Sequence, residues 1–122
     1  MSTVIEATST TWKDEVLKSE TPVVIEFYSP TCPHCRRLTT IFEKLSDEYS
    51  GKLKLVKVDA SAENDLASGY GVMGVPTLKF LCAGRPIAEL VGLQSEENLK
   101  EGFEEILKRC KRCLLQSSPL FA

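Results

Sequence analysis

The stretch VVIEFYSPTCPHC, residues 23–35, decides the fold. It passes directly from a nearly unbroken apolar run into two cysteines spaced by two residues. From Pro22 to Tyr28 only Glu26 interrupts the run, as expected of a strand buried on both faces. Pro33 suits the first position of a helix, where its missing N–H would be unpaired anyway. That makes Cys32 the N-cap and aims the free N–H groups of the first turn at its sulfur. A strand therefore feeds a helix, with two thiols at the junction. In open α/β sheets such junctions, at strand C-termini, are where sites are built.

The placement has chemical consequences. A thiolate at Cys32 gains from these donors and from the positive helix end, so its pKa is expected below the free value. Cys35, one turn in, is expected to be more buried, with a normal or raised pKa. The asymmetry suits an exchange in which Cys32 attacks a substrate disulfide and Cys35 resolves the mixed disulfide. Zinc ribbons use the same Cys-x-x-Cys spacing, and two packed core cysteines would share it too, so both alternatives stay open here. The strand–helix–strand context favours redox chemistry.

Working outward, the chain reads as strand, helix, strand, helix, strand, helix, strand, strand, helix. Val4–Glu6 is a short strand, followed by a helix over 9–19 with Ser9, Thr10 or Thr11 available as its cap. After the cysteines, Leu38, Ile41, Phe42, Leu45 and Tyr49 follow helical spacing up to SGK at 50–52. LKLVKVD (53–59) is the next strand, a short helix covers about 63–68, and a glycine-rich loop leads to TLKFLCA (77–83). IAELVG (87–92) follows after GRP, a connection short enough for an antiparallel hairpin. The last helix starts near Ser95. Parallel crossovers followed by a hairpin imply an α/β fold with a central mixed five-stranded sheet flanked by four helices.

Two charges sit oddly. Glu26 interrupts one strand and Lys57 the next. If those strands are neighbours, the pair lies within mutual reach below Cys35. A buried carboxylate there would have a raised pKa and could carry the proton that Cys35 must lose; a structural ion pair, or a lysine reaching out to solvent, would use the same residues.

At 122 residues the chain is one domain, long enough to bury a core without staples. A net charge of −2 gives no reason to expect nucleic acid or an acidic membrane as partner. No secretory signal and no membrane-spanning run is read, so a cytoplasmic location is expected. There thiols are kept reduced, and five cysteines point to chemistry or metal rather than a disulfide framework.

With these residues in view, the sequence resembles thioredoxin. VVIEFYSPTCPHC, LKLVKVDAS, YGVMGVPTL and ELVGLQSEENL carry the likeness, in that family's order, across roughly residues 4–109. The resemblance implies a thioredoxin fold with a cis Val75–Pro76 peptide facing the cysteines. It implies that Glu26 and Lys57 take the family's buried acid and lysine positions. It also implies that Met73, Val75, Pro76, Val91, Gly92 and Leu93, with Pro33, form an apolar platform that receives an extended peptide.

The departures are specific. Thioredoxins typically read Trp-Cys-Gly-Pro-Cys, where this chain has Thr31-Cys32-Pro33-His34-Cys35. Glu26 replaces the usual Asp, Tyr28 the usual Trp, and Thr40 stands where many members have a helix-kinking proline. The Pro-His pair looks like that of periplasmic disulfide-forming oxidases, whose large helical insertion has no room here. His34, as a cation or a donor to Cys32, would stabilise the thiolate, and a stabilised reduced form makes a stronger oxidant; a solvated turn residue with no effect on redox poise is the alternative. Each ~1.4 kcal/mol raises the potential by roughly 30 mV, so a potential above the roughly −270 mV of thioredoxin is expected.

On the last helix Leu99, Phe103, Ile106, Cys110 and Cys113 share one stripe. Core packing is the default for both cysteines; a second thiol pair, Cys110 with Cys113, an intermolecular disulfide and a metal site are the alternatives. Cys82 reads as a small packed hydrophobe. The domain is expected to span 1–109, with 110–122 an extension of the last helix and a tail. The expected function is reduction of protein disulfides by a monomer that a thioredoxin-reductase-type donor recharges, with no cofactor and no metal. The alternatives are a disulfide oxidase or isomerase, and a non-catalytic thiol- or zinc-binding module.

Overall fold

The computed structural model describes residues 4–117, and the side chains of residues 4–111. Five strands form one sheet: β1 (Ile5–Glu6), β2 (Val23–Tyr28), β3 (Lys54–Asp59), β4 (Thr77–Cys82) and β5 (Arg85–Val91). Their order across the sheet is β1-β3-β2-β4-β5. β1 and β2 run parallel to β3, whereas β4 lies antiparallel to both β2 and β5. The central strand is thus β2, and its apolar run is buried from Val23 to Phe27. Flanking the sheet are α1 (Pro33–Glu48), α2 (Asn64–Gly69), α3 (Glu96–Ser117) and a single π-helical turn, Lys13–Leu17.

Period-2 alternation divides the sheet residues between two layers. Val24, Leu55, Leu78 and Phe80 face α1 and α3, meeting Leu38, Phe42, Leu45, Leu99, Phe103 and Ile106. Phe103 is the hub of this layer, with edge-on contacts to Phe42, Tyr49 and Phe80 at 6.3, 5.1 and 6.3 Å between ring centroids. Val23, Ile25, Phe27, Val56 and Val58 face the other way, against Trp12, Val16 and Ala67.

Two local expectations are corrected. The first helix is a turn of five residues, not eleven, because Thr8 to Thr11 form a turn of their own. In it the Thr11 hydroxyl accepts from the Thr8 N–H at 3.0 Å. The hairpin turns on Ala83 and Gly84, with φ of 52° and 81°, instead of on GRP. That pair of positive φ values is the twist-matched two-residue connection, so Arg85 and Pro86 already belong to β5. A bulge at Phe80/Leu81 adjusts the register.

α3 crosses the expected boundary at residue 109 without a break, and Cys110 is buried against the sheet. Packing of this helix thus reaches at least Cys110. The side chain of Cys113 and the tail 118–122 lie outside the described residues. No helix of the described residues is long and apolar enough to cross a membrane.

Candidate active site

β2 ends at Tyr28, and four residues later Cys32 caps α1. Cys32 has extended backbone (φ −92°, ψ 115°) with Pro33 in the first turn. Its Sγ accepts the Cys35 N–H at 3.2 Å, so a free donor of the helix end is spent on sulfur. Both thiols are free, Cys32 half-buried and Cys35 only 1% exposed. Burial holds the Cys35 thiol well above its ordinary pKa, and the Cys32 sulfur beside it works in the same direction. One sulfur is partly open to solvent, and the other is almost fully enclosed.

Val75–Pro76 is a cis peptide, and Cys32 Sγ lies 4.0 Å from the Val75 carbonyl oxygen. The Gly92 N–H donates to the Pro76 oxygen at 2.8 Å, which fastens the end of β5 to the same edge. Gly92 has φ +88°, a conformation that costs a glycine little. Around this edge Met73 is fully exposed, Val91 is 64% exposed and Leu93 38%. These are three of the four exposed large hydrophobics among the described residues, the other being Leu17. Val75 and Gly92 are half-buried, while the Pro76 side chain is buried and offers mainly its backbone.

Glu26 and Lys57 are direct partners in the β2–β3 register. Glu26 is completely buried, and its Oε2 accepts the Thr39 hydroxyl at 2.6 Å. Its Oε1 is also buried and has no hydrogen-bond partner among the described residues. Burial pushes the Glu26 carboxyl up to about 7, against smaller downward pulls from Thr39 and Lys57. Lys57 forms no ion pair with Glu26 among the described residues; its Nζ lies 5.6 Å from the centre of the Tyr28 ring. Thr39, Lys57, Tyr28 and Cys35 line one cleft of about 220 Å³ on the inner side of the cysteine pair. The Glu26 charge is felt at Cys35, where it raises the thiol pKa further.

Thr39 escaped the sequence reading. The available signal was its spacing, four residues past Cys35 on the same helix and therefore on the same face. Pro33 and His34 are exposed, and the His34 ring makes no hydrogen bond to Cys32 among the described residues. Thr40 donates its hydroxyl to the Arg36 carbonyl at 3.0 Å within an uninterrupted α1.

The second thiol pair is corrected. Cys110 is bonded not to Cys113 but to Cys82, with Cα atoms 5.6 Å apart. Cys82 follows Leu78 and Phe80 on the face of β4 that α3 covers, and the apolar stripe of α3 turns Cys110 toward it. Cys82 is accordingly half of a bridge and not a lone packed hydrophobe, and in this state the Cys110 sulfur cannot ligate a metal. Among the described residues no group of three or more His, Cys, Asp or Glu is placed to hold a metal ion.

Comparison with known proteins shows the family. The thioredoxin family model matches residues 3–105. The chain is similar to thioredoxin 1 of Nostoc sp., 34% identical over 107 residues, covering 88% of this chain and 100% of that one. It is also similar to thioredoxin C-2 of Corynebacterium nephridii, 34% identical with 80% and 91% covered. Among solved structures, a mutant thioredoxin from Halobacterium salinarum superposes with a TM-score of 0.77 at 31% identity, over 85% of this chain and 90% of that one. The chain belongs to the thioredoxin family and is a thiol–disulfide oxidoreductase with the thioredoxin fold.

Proposed function

We propose that the protein reduces disulfides in other proteins through Cys32 and Cys35. The Cys32 thiolate attacks one sulfur of the substrate disulfide, forming a mixed disulfide and releasing the other sulfur as a thiolate that takes up a proton. Cys35 then loses its proton, attacks Cys32 Sγ and releases the second substrate thiol. This leaves a Cys32–Cys35 disulfide, with two electrons moved to the substrate. Glu26 accepts the Cys35 proton directly or through the Thr39 hydroxyl, while Lys57 limits the cost of the buried charge. Val75 and Pro76 dock the substrate backbone, and Met73, Val91, Gly92 and Leu93 with Pro33 receive its side chains.

The observation that carries the reading is the unequal exposure of the two thiols around one helix N-terminus, with the Cys35 N–H on Cys32 Sγ. Reduction of insulin disulfides with dithiothreitol tests it: Cys32→Ser is expected to abolish the acceleration, and equal rates for mutant and parent would remove the proposed site. A monomer recharged by a thioredoxin-reductase-type donor in the cytoplasm completes the cycle.

The opposite direction, disulfide formation, is favoured by one feature, His34 between the cysteines. A cationic imidazole next to Cys32 would stabilise the reduced form and raise the potential. The potential is therefore proposed to lie above the roughly −270 mV of thioredoxin. Equilibration with glutathione measures it, and a value at or below that mark would rule this out. The location is tested separately, by thiol trapping in intact cells, since a persistent Cys82–Cys110 bond would point to an oxidising compartment.

A further inference from the structure

Beside the platform lies a groove of about 620 Å³ between α1 and the loop that joins β5 to α3. Arg37, Thr40 and Ile41 form one wall, and Leu93, Gln94 and Ser95 the other. The loop is pinned. Gln94 donates to the Val91 and Gly92 carbonyls at 3.1 and 3.3 Å, and the Ser95 hydroxyl accepts the Asn98 N–H at 3.1 Å. Just beyond the two walls, in the next turn of α1 and at the start of α3, Lys44 and Glu96 close an ion pair at 2.9 Å. The groove is thus formed before any ligand arrives.

Its charge is one-sided. Among the described residues no acid lines it. Glu96, the nearest acid along the chain, is already answered by Lys44 and by Lys100 at 3.6 Å. Arg37 is exposed and has no ionic partner among the described residues. Its neighbour Arg36 turns to the other flank, where it lines the inner cleft and reaches the Pro30 carbonyl. Arg37 is therefore the groove's one uncompensated charge among the described residues, at the rim of an otherwise neutral lining.

The groove adjoins the apolar platform through Leu93, which belongs to both. At 1.5 Å per residue, Arg37 and Ile41 lie roughly 7 and 13 Å along α1 from Cys32. An extended peptide advances about 3.3 Å per residue. A substrate chain docked at Val75–Pro76 would bring the groove within reach of its second to fourth residue from the reacting cysteine.

Resting on the oxidoreductase reading, we propose that this groove is a specificity subsite. It takes a substrate side chain of apolar character, seated on Ile41 and Leu93, with a neighbouring carboxylate against Arg37. The preferred substrates are disulfides in acidic–apolar segments of other proteins.

The test uses disulfide-linked nine-residue peptides with a central cysteine. Leu and Glu occupy the third and fourth positions on both sides, so that chain direction does not matter; a second peptide carries Leu and Lys there. With dithiothreitol as reductant, the parent protein is expected to favour the Glu peptide roughly two- to fivefold in kcat/KM, as befits an exposed ion pair. The preference should shrink as salt is raised. Arg37→Glu is expected to invert it, while Arg85→Glu, the same charge change at the far end of β5, leaves it intact. Leu93→Ala should raise KM for both peptides more than it lowers kcat. Equal peptide ratios in the parent and Arg37→Glu, or an equal change with Arg85→Glu, would overturn the subsite and leave the redox reading standing. Activity surviving in Cys32→Ser would instead overturn the redox reading.

Discussion

The Thr39 hydroxyl donates to Glu26 Oε2 across 2.6 Å, from the second turn of α1 to the middle of the central strand. This contact satisfies one carboxyl oxygen and leaves Oε1 buried without a partner among the described residues. Such an oxygen costs more as part of a carboxylate than as part of a neutral acid. That is why burial wins over both Thr39 and Lys57 and sets the pKa at about 7.

A stability prediction follows from that shift. Below about pH 4.5 Glu26 is protonated in both the folded and the unfolded chain and costs nothing. Between about 4.5 and 7 the unfolded chain releases the proton while the folded one keeps it, so stability falls as pH rises. Above about 7 the loss is complete, on the order of 3 kcal/mol at ~1.4 kcal/mol per unit. Glu26→Gln, which cannot ionise, should gain stability on the parent at pH 8 and lose most of that gain at pH 5. Urea unfolding of the oxidised proteins at both values checks this; a difference that does not change with pH would refute it.

The same substitution should slow catalysis at a particular step. The amide introduced by Glu26→Gln cannot accept the Cys35 proton, so the mixed disulfide should persist while the first attack by Cys32 proceeds as before. A positioned proton acceptor contributes roughly 10²-fold or more, so resolution should slow by at least about tenfold. Trapping the enzyme–substrate mixed disulfide by acid quench, followed by mass spectrometry, reads the step directly. Slowing of the first attack instead would assign Glu26 a different role.

Alkylation should separate the two thiols. Cys35 is 1% exposed and its burial favours the protonated form, whereas Cys32 is half-buried. Iodoacetamide on the native reduced protein should modify Cys32 and spare Cys35 by at least about tenfold in rate, since the thiolate is the nucleophile. Peptide mapping locates the label. In Cys32→Ser, Cys35 should remain almost unlabelled in the native protein, and its rapid labelling there would contradict the burial.

How much of this was legible in the residues depends on which interaction placed them. The strand into Cys32 and the cap with Pro33 are local, so the sequence around them sufficed to put Cys32 at the N-terminus of α1. The two interrupted apolar runs paired Glu26 with Lys57 only on the condition that their strands were neighbours, and the parallel β2–β3 register makes them so. Thr39 was missed because a threonine inside a helix has many uses and only its tertiary partner selects one. Lys57 was expected within reach of Glu26, and it is its register partner and lowers the carboxyl's pKa. That no ion pair closes between them among the described residues, with its Nζ near the Tyr28 ring, is set by side-chain packing and not by spacing. The hairpin was misplaced because Ala83 adopts a positive φ that its type disfavours, while the GRP after it looked like the stronger turn signal.

The Cys82–Cys110 bridge was within reach of the sequence and was not assembled. Both halves were visible, one from alternation on β4 and the other from the helical stripe on α3, but a cytoplasmic expectation set disulfides aside. Its contribution is testable. The bond closes a loop of 28 residues in separation, for which chain entropy gives about 3–4 kcal/mol. Cys82→Ala/Cys110→Ala should lower the oxidised protein's unfolding free energy by about 3 kcal/mol, measured by urea titration. Activity should change little, because Cys82 lies at the opposite end of β4 from Thr77, roughly 17 Å along the strand from the docking edge. Both cysteines are 3% exposed, so reductant sufficient to open Cys32–Cys35 should leave this bond closed, and intact mass after native alkylation reads it. Equal stability of the two proteins, or loss of the bond in step with the active-site disulfide, would show that Cys82–Cys110 does not hold α3 to the sheet.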